Sequence, residues 1–513
     1  MDKFLEMLKD CENTMVPNIS VTENGAIGYK TTGNKLVDLN FALSSMRNMD
    51  DDEIWFRFLD AYNENPALAV VWLFFARDCR EGCGERRVFR VIFHNLSMDI
   101  PEETTKKLLR LIPEYGRWDD LIWLADNMLS KTLKNEAFQI ICEQFRLDIS
   151  ACSQGKPVSL LGKWMKSENT SSEDSRRIAR KLRINLGMSP KEYRKALTTL
   201  RRAIRVVEAS MSANEWQSID YQSVPSRASM LYRNAFLRHD ESGYYKYLED
   251  VKSGSKKINA GVLFPYEIVH NYYNRFDFDV ELLKHDDTLE AQWKALPDKI
   301  PDGMSTLVVI DGSGSMCSRI GKTKVTCHDV ARSIGIYFAE RMKGALSNCF
   351  MTFSSRPQIV SFDDCLSLHS KLELLDRYSD WTNTDIEAVF NLLLNTAVKN
   401  HLKRDEMPAN ILIVSDGEFD NMVEGGNDQS LFEYIAGRFE SAGYKLPRLV
   451  FWNVCSRTLT IPVTENENGV ALVSGFSPNI CDMVMSAKLD PAAVLLDKLL
   501  SDRYKPVLKE VLP

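Results

Sequence analysis

The stretch that most constrains this chain is Leu307–Met316, LVVIDGSGSM. Leu307, Val308, Val309 and Ile310 form an unbroken apolar run rich in β-branched residues. A run this short and this uniform reads as a strand buried on both faces, as in a parallel sheet. Gly312 and Gly314 then let the backbone turn sharply, and the turn delivers Asp311, Ser313 and Ser315. A carboxylate and two hydroxyls at alternate positions are hard oxygen donors. They suit a divalent metal such as Mg²⁺, or Mn²⁺ in its place, better than zinc.

The remainder of the C-terminal half extends the pattern. Strands are expected at Thr306–Ile310, Cys349–Phe353, Gln358–Phe362, Asn410–Ser415, Leu449–Val454 and Val470–Val473. Helices are expected between them at about 325–342, 385–400 and 430–442, with two more at the C-terminal end. Alternation of this kind implies right-handed crossovers and a doubly wound parallel sheet. Ligands on such sheets bind at the carboxyl ends of the strands, where Asp311 and Asp416 both fall. Thr384, in the segment Trp381–Asp385 just before a helix, offers a third hydroxyl. Together Asp311, Ser313, Ser315, Thr384 and Asp416 make a shallow octahedral site. Carboxylates would act there directly or through water, and one position stays open for an acidic group of a protein partner.

Other chemistries fit less well. Gly314 and Gly321-Lys322-Thr323 imitate a phosphate-binding loop, but six residues separate the glycines, where the loop that wraps a phosphate needs four. This places Lys322 in an exposed loop. There is no G-x-S-x-G and no H-E-x-x-H, so no enzymatic activity is expected. Cys79 and Cys83 have no second pair nearby and read as ordinary thiols.

Upstream the period changes. Residues 35–290 carry apolar residues at three- and four-residue spacing in a succession of helices, without the strict period of a named repeat. They read as a stack of irregular, HEAT-like helical hairpins. Turn signals around Asn18–Thr32 predict a strand or hairpin in residues 1–34. Residues 291–303, with two prolines and a glycine in LPDKIPDG, form a linker to the sheet domain, 304–513. At 513 residues the chain is too long for one ordinary core. No apolar run approaches the roughly 18–20 residues needed to span a bilayer, and the first residues do not read as a signal peptide. No membrane association and a cytoplasmic location are expected.

Charge is unevenly spread. Residues 151–257 hold 21 Lys and Arg against 11 Asp and Glu, a net of +10, while residues 301–513 hold 21 against 27, a net of −6. Most of the excess lies in two helices. Ser189-Pro190-Lys191-Glu192 is a capping box with proline at the first helical position. It sets a helix running to Ser210 whose face of Lys191, Arg194, Lys195, Arg201, Arg202 and Arg205 opposes an apolar face. The preceding helix adds Arg176, Arg177, Arg180, Lys181 and Arg183, with Gly187 as the cap between. Two readings stay open: a phosphate-backbone site for RNA, or a solvated face that docks on the acidic domain. In Trp216–Arg238, Tyr221, Arg227, Tyr232, Arg233 and Arg238 either stack on single-stranded RNA or pack helices together. The loops Asp78–Arg86 and Pro113–Asp120 mix acids and arginines closely enough to predict internal salt bridges.

Asp311-x-Ser313-x-Ser315, then Thr384, then Asp416 resembles the metal-ion-dependent adhesion site of von Willebrand factor A domains, with all five positions filled in order. A helical-repeat region followed by such a domain resembles the TROVE family of Ro autoantigen-like proteins. Within it the chain is most similar to a largely uncharacterised branch, through the Arg77–Arg86 loop, Pro113–Asp120, Leu160–Ser167, Asn185–Tyr193, Val224–Arg227 and Lys257–Val269. The resemblance implies helical repeats closing into a ring with the metal domain. It also implies small structured RNAs on the basic outer surface, single-stranded RNA ends inside, and a ribonucleoprotein or RNA-chaperone role. The alternative is a metal-dependent protein-interaction adaptor that binds no RNA.

Overall fold

The computed structural model describes residues 18, 20–23, 27–276, 279–300, 305–378, 384–418, 431–461, 470–484 and 490–512. The chain enters as a short hairpin, β1 (Ser20–Val21) paired antiparallel with β2 (Ile27–Gly28). Helices then run from Lys35–Phe41 to Pro265–His270, followed by a second hairpin, β3 (Tyr273–Phe276) with β4 (Asp279–Leu282), and the helix Asp287–Lys294.

The sheet comprises β5 (Thr306–Asp311), β6 (Cys349–Phe353), β7 (Ile359–Ser361), β8 (Asn410–Ser415), β9 (Arg448–Asn453) and β10 (Val470–Ser474), in the order β10-β9-β8-β5-β6-β7. All pairings are parallel except β6 with β7. The connection between those two is far shorter than the dozen or so residues a parallel crossover needs, so only an antiparallel return is possible. The sheet is therefore mixed, with one antiparallel edge strand. Strands β5, β8 and β9 are buried along their whole length, which explains their near-continuous apolar sequences.

The helix Cys327–Arg341 follows β5 and is buried on almost every side. One side meets β5, β6 and β8, and another meets the Pro265–His270 helix. Gly335 permits this, because a Cβ there would overlap the Ile310 side chain of β5.

Three expectations of helix layout differ from the structure. The helix expected from Ser189 to Ser210 is two, Pro190–Ala203 and Val207–Ser212, because Arg205 adopts a left-handed φ of 50°. Within the succession expected over 35–290, the periodic stretch 226–250, which reads as one helix, breaks at Asp240, whose φ of −147° leaves the helical region. The predicted linker overlaps the Asp287–Lys294 helix, and its residues 301–303 lie outside the described residues, as do residues 1–17 and Trp381–Asn383.

One apolar core runs through both halves, from Leu36 to Val507. The halves meet at both ends of the helical region. At its beginning, Lys35–Phe41 packs on β10 and on the helix Pro491–Leu499, while the helix Lys505–Val511 packs on Pro66–Arg77 and Glu102–Tyr115. At its end, Asp287–Lys294 packs on Leu368–Tyr378. The chain thus closes a circuit of packed elements on itself. Asp78, fully buried, accepts from Arg503 Nε at 2.8 Å and Arg503 Nη2 at 3.2 Å, and Tyr115 Oη donates to Arg503 O at 2.7 Å.

Candidate metal centre and cationic cavity

The five predicted ligands come from three loops at the carboxyl end of the sheet. Strands β5 and β8 are neighbours, and the chain leaves them in opposite directions across the sheet, which makes the crevice that such sheets use for ligands. Asp311, the last residue of β5, is held from both sides. Its Oδ1 accepts from Ser313 N at 2.8 Å, and its Oδ2 accepts from Ser415 Oγ at 2.6 Å. The first bond folds the Asp311–Ser313 turn locally, and the Gly314–Cys317 turn of 3-10 helix brings Ser315 back until its Oγ lies 2.9 Å from Ser313 Oγ. Thr384 is buried and donates to Glu418 O at 3.4 Å.

Asp416 gives the test of whether a cation fits. Its carboxyl is 1% exposed, and its Oδ2 receives no hydrogen bond. Burial and the neighbouring Asp311 carboxylate push its pKa up to about 7. A buried carboxylate oxygen without a donor, facing a second carboxylate, is an arrangement that a cation stabilises. The residues present fit a hard divalent ion. Two carboxylates and three hydroxyls would hold it, and among the described residues no cluster of three His, Cys, Asp or Glu offers a softer site. Glu418 has a different role. Burial works against its charge, but the N–H groups of Glu23, Thr458 and Arg457 hold it below the ordinary carboxylate range.

Two groups that could act as a nucleophile and a base lie close by. Cys317 Sγ is 3.7 Å from His328 Nδ1. Burial and the neighbouring Arg332 drop His328 to about 3, and burial raises the Cys317 thiol. Both groups are therefore neutral at pH 7, unlike an activated thiolate–imidazolium pair.

The loop that begins at Asp311 runs on to wall a cavity of about 1060 Å³ between the two halves, which Ile320–Thr323 line on one side. The volume is at the upper end of the roughly 300–1,000 Å³ of small-molecule clefts. Arg47, Arg77, Arg86 and Arg87 line it from the first helices, Arg117 and Arg227 from two later ones, and Lys322 from the loop, against Asp50, Asp51, Glu85 and Glu267. Several of these arginines are already paired. Arg47 binds Glu85, Arg77 binds Asp120, Arg87 binds Asp51, and Arg227 Nη1 is 3.3 Å from Glu267. Arg117 and Lys322 have no ion pair among the described residues. The Arg86 and Arg117 guanidinium groups lie 5.9 and 5.5 Å from the centre of the Trp164 ring. Its lining is assembled from separate stretches of chain that the fold brings together, among them four segments singled out in the sequence: Arg77–Arg86, Pro113–Asp120, Val224–Arg227 and Lys257–Val269.

The predicted basic faces divide. Arg177 and Lys181 each reach Asp126 at 2.7 Å. Arg183 pairs with Glu168, and Arg176 donates to Thr170 O and Ser171 O. Arg201 is turned inward, donating to Gly162 O, Ser167 Oγ and Met165 O at 2.9–3.2 Å. Arg180, Lys191, Arg194, Lys195, Arg202 and Arg205 have no ion pair among the described residues, and all of them are exposed. The aromatic segment is mostly core: Tyr221, Tyr232 and Phe236 pack with Tyr244 and Tyr247 in a second, smaller cluster, and Arg233 pairs with Asp286.

Comparison with known proteins gives matches along most of the chain. Residues 305–495 match a family model described as a domain of unknown function (DUF7788), and residues 161–304 match a second one (DUF2828). An uncharacterized protein, L728, of Acanthamoeba polyphaga mimivirus is 28% identical over 518 residues, covering 94% of this chain and 87% of the viral one. The crystal structure of the RO (RSR) protein of Deinococcus radiodurans aligns with 92% of this chain and 100% of its own, at 14% identity and a TM-score of 0.44.

Proposed function

We propose that this protein is a non-enzymatic RNA-binding protein with a divalent-cation site in its sheet domain. The observation that carries the reading is the cavity between the two halves, with seven cationic side chains against four acidic ones. An unpaired Arg117 and Lys322 suit a single strand, whose phosphates pair with the cations. The outer face of Arg180, Lys191, Arg194, Lys195 and Arg202 supplies a second, sequence-independent surface for the backbone of a small structured RNA. The adhesion-type ligand set supports Mg²⁺ or Mn²⁺ at Asp311, Ser313, Ser315, Thr384 and Asp416. When bound, the ion would polarise the site and offer an open position to a carboxylate. The neutral Cys317 and His328 support a binding role over a catalytic one.

Fluorescence anisotropy of a labelled single-stranded RNA, titrated at several salt concentrations, tests the reading. Reversing Arg117 and Lys322 to Glu weakens binding and flattens its salt dependence, by about 0.7 in slope for each phosphate no longer neutralised. Reversing Arg194, Lys195 and Arg202 does the same for a structured RNA. Equal retention by wild type and both variants would exclude these surfaces. If no RNA is retained at all, a metal-dependent capture of acidic peptides becomes the better account.

A further inference from the structure

Arg457, just after β9, reaches across the candidate metal loop. Its Nη1 donates to Ser318 Oγ at 2.8 Å and to Ser315 O at 3.4 Å, and its Nη2 lies 3.7 Å from Asp416 Oδ2. The same Nη2 forms an ion pair with Glu23, from the turn after β1. That turn is itself docked on the segment that carries Arg457. Glu23 N donates to Glu418 Oε2 at 2.8 Å, and Ser20 Oγ is 2.9 Å from Thr460 Oγ1. Tyr29 and Ile461 exchange both backbone hydrogen bonds, at 2.8 and 2.9 Å. The N-terminal hairpin therefore lies as a strap along 457–461, with its acidic side chain on the guanidinium that faces the metal site.

Two positive charges compete for one oxygen here. Asp416 Oδ2 takes no hydrogen bond and is the atom through which Asp416 would reach a cation. The guanidinium already stands beside it, with its other arm on the carbonyl of a predicted ligand residue, Ser315. A divalent ion held by Asp416, Ser313 and Ser315 would meet that charge at close range, where like charges repel. Glu23 biases the competition by holding the guanidinium in place.

We propose that Glu23 and Arg457 form an internal latch on the metal site, closed by the guanidinium and opened when a divalent cation displaces it and frees the N-terminal hairpin. The latch rests on the metal site proposed under the function. In the closed state the chain's own acid occupies Arg457. In the open state the cation and the released guanidinium together face outward, a pair of positive groups suited to an acidic segment of a partner.

The test uses the full chain, MnCl₂ as the probe, and two readouts: calorimetric titration and hydrogen exchange at the amides of Glu23, Tyr29 and Ile461. Glu23→Gln, on a half-exposed side chain, and Arg457→Gln are each expected to tighten Mn²⁺ binding by about fivefold, with the double variant gaining less than the product of the two. In the wild type, Mn²⁺ is expected to speed exchange at the three amides. Binding seen only in the two variants also supports the latch. Equal Mn²⁺ affinity in the wild type and all three variants, with exchange unchanged by the ion, would overturn the latch while leaving the metal site standing. No binding by any of them would remove the metal site and the latch together.

Discussion

Asp120 is fully buried and bears on three separate stretches of chain. Its Oδ2 accepts from Arg77 Nε and Nη2 at 2.9 and 2.6 Å and from Arg117 N at 3.0 Å, while its Oδ1 accepts from Arg90 Nε at 2.8 Å. Arg77 is 2% exposed, so removing the acid strands a buried guanidinium. Asp120→Ala is expected to cost about 3–5 kcal/mol in denaturant unfolding. A second residue-scale effect concerns pH. Hydrogen bonds from Arg177 and Lys181, acting against burial, lower Asp126 from its ordinary value near 4 to about 2. The folded-state value lies below the unfolded one, so the stability this pair adds is present above about pH 4 and disappears as pH falls towards 2. The difference in Tm between wild type and Asp126→Asn should therefore shrink steadily over that interval, and a constant difference would contradict the assignment. At Gly335, alanine is expected to push Ile310 and the end of β5 out of place, lowering Tm by several degrees.

Among the elements, the strands of the sheet are the most legible in the sequence. β6 and β8 lie where their apolar runs lie, and β5 differs only by including Asp311, because a strand covered on both faces reads as a near-continuous apolar run. Ser189 with Glu192 and Gly187 with φ 70° likewise set the limits of the basic helices from local chemistry alone. Helical periodicity does not see the breaks at Arg205 and Asp240. No proline marks them, and Gly243, against which the Asp240 carboxylate packs, lies three residues past the second break, inside the following helix. The hairpin β3–β4 and the helix Leu368–Tyr378 escape the sequence pattern because each is short and gains its stability from neighbours distant in sequence. The candidate metal ligands are legible because three of them, Asp311, Ser313 and Ser315, share one turn. Glu23 and Arg457 are not, since nothing local connects the two ends of the chain that bring them together. The basic helix Pro190–Ala203 also splits by function. Arg201→Ala, which removes donors to Gly162 O and Met165 O, is expected to lower stability by about 1–3 kcal/mol. Arg194→Ala on the outer face is expected to change it by less than about 0.5 kcal/mol. Matched thermal melts would separate the two.

At the scale of the whole molecule, the shared core and the closed circuit of packed elements predict one cooperative unfolding transition rather than two. Differential scanning calorimetry should give a single peak, and two separable peaks would show that the halves are independent. Tyr504, fully buried, stacks on Tyr115 and donates to Asp78 at 3.3 Å, so Tyr504→Ala is expected to cost about 3–5 kcal/mol and to lower the melting of the entire chain. The position of the Lys505–Val511 helix also bears on biosynthesis. It packs on Pro66–Arg77, a helix made about 430 residues earlier. At the roughly 5–20 residues per second of synthesis, that earlier helix leaves the ribosome about 20–90 seconds before its cover exists. Throughout this interval Phe75 and Tyr115, the aromatic faces that Tyr504 later closes, stay open to chaperones, proteases and other nascent chains.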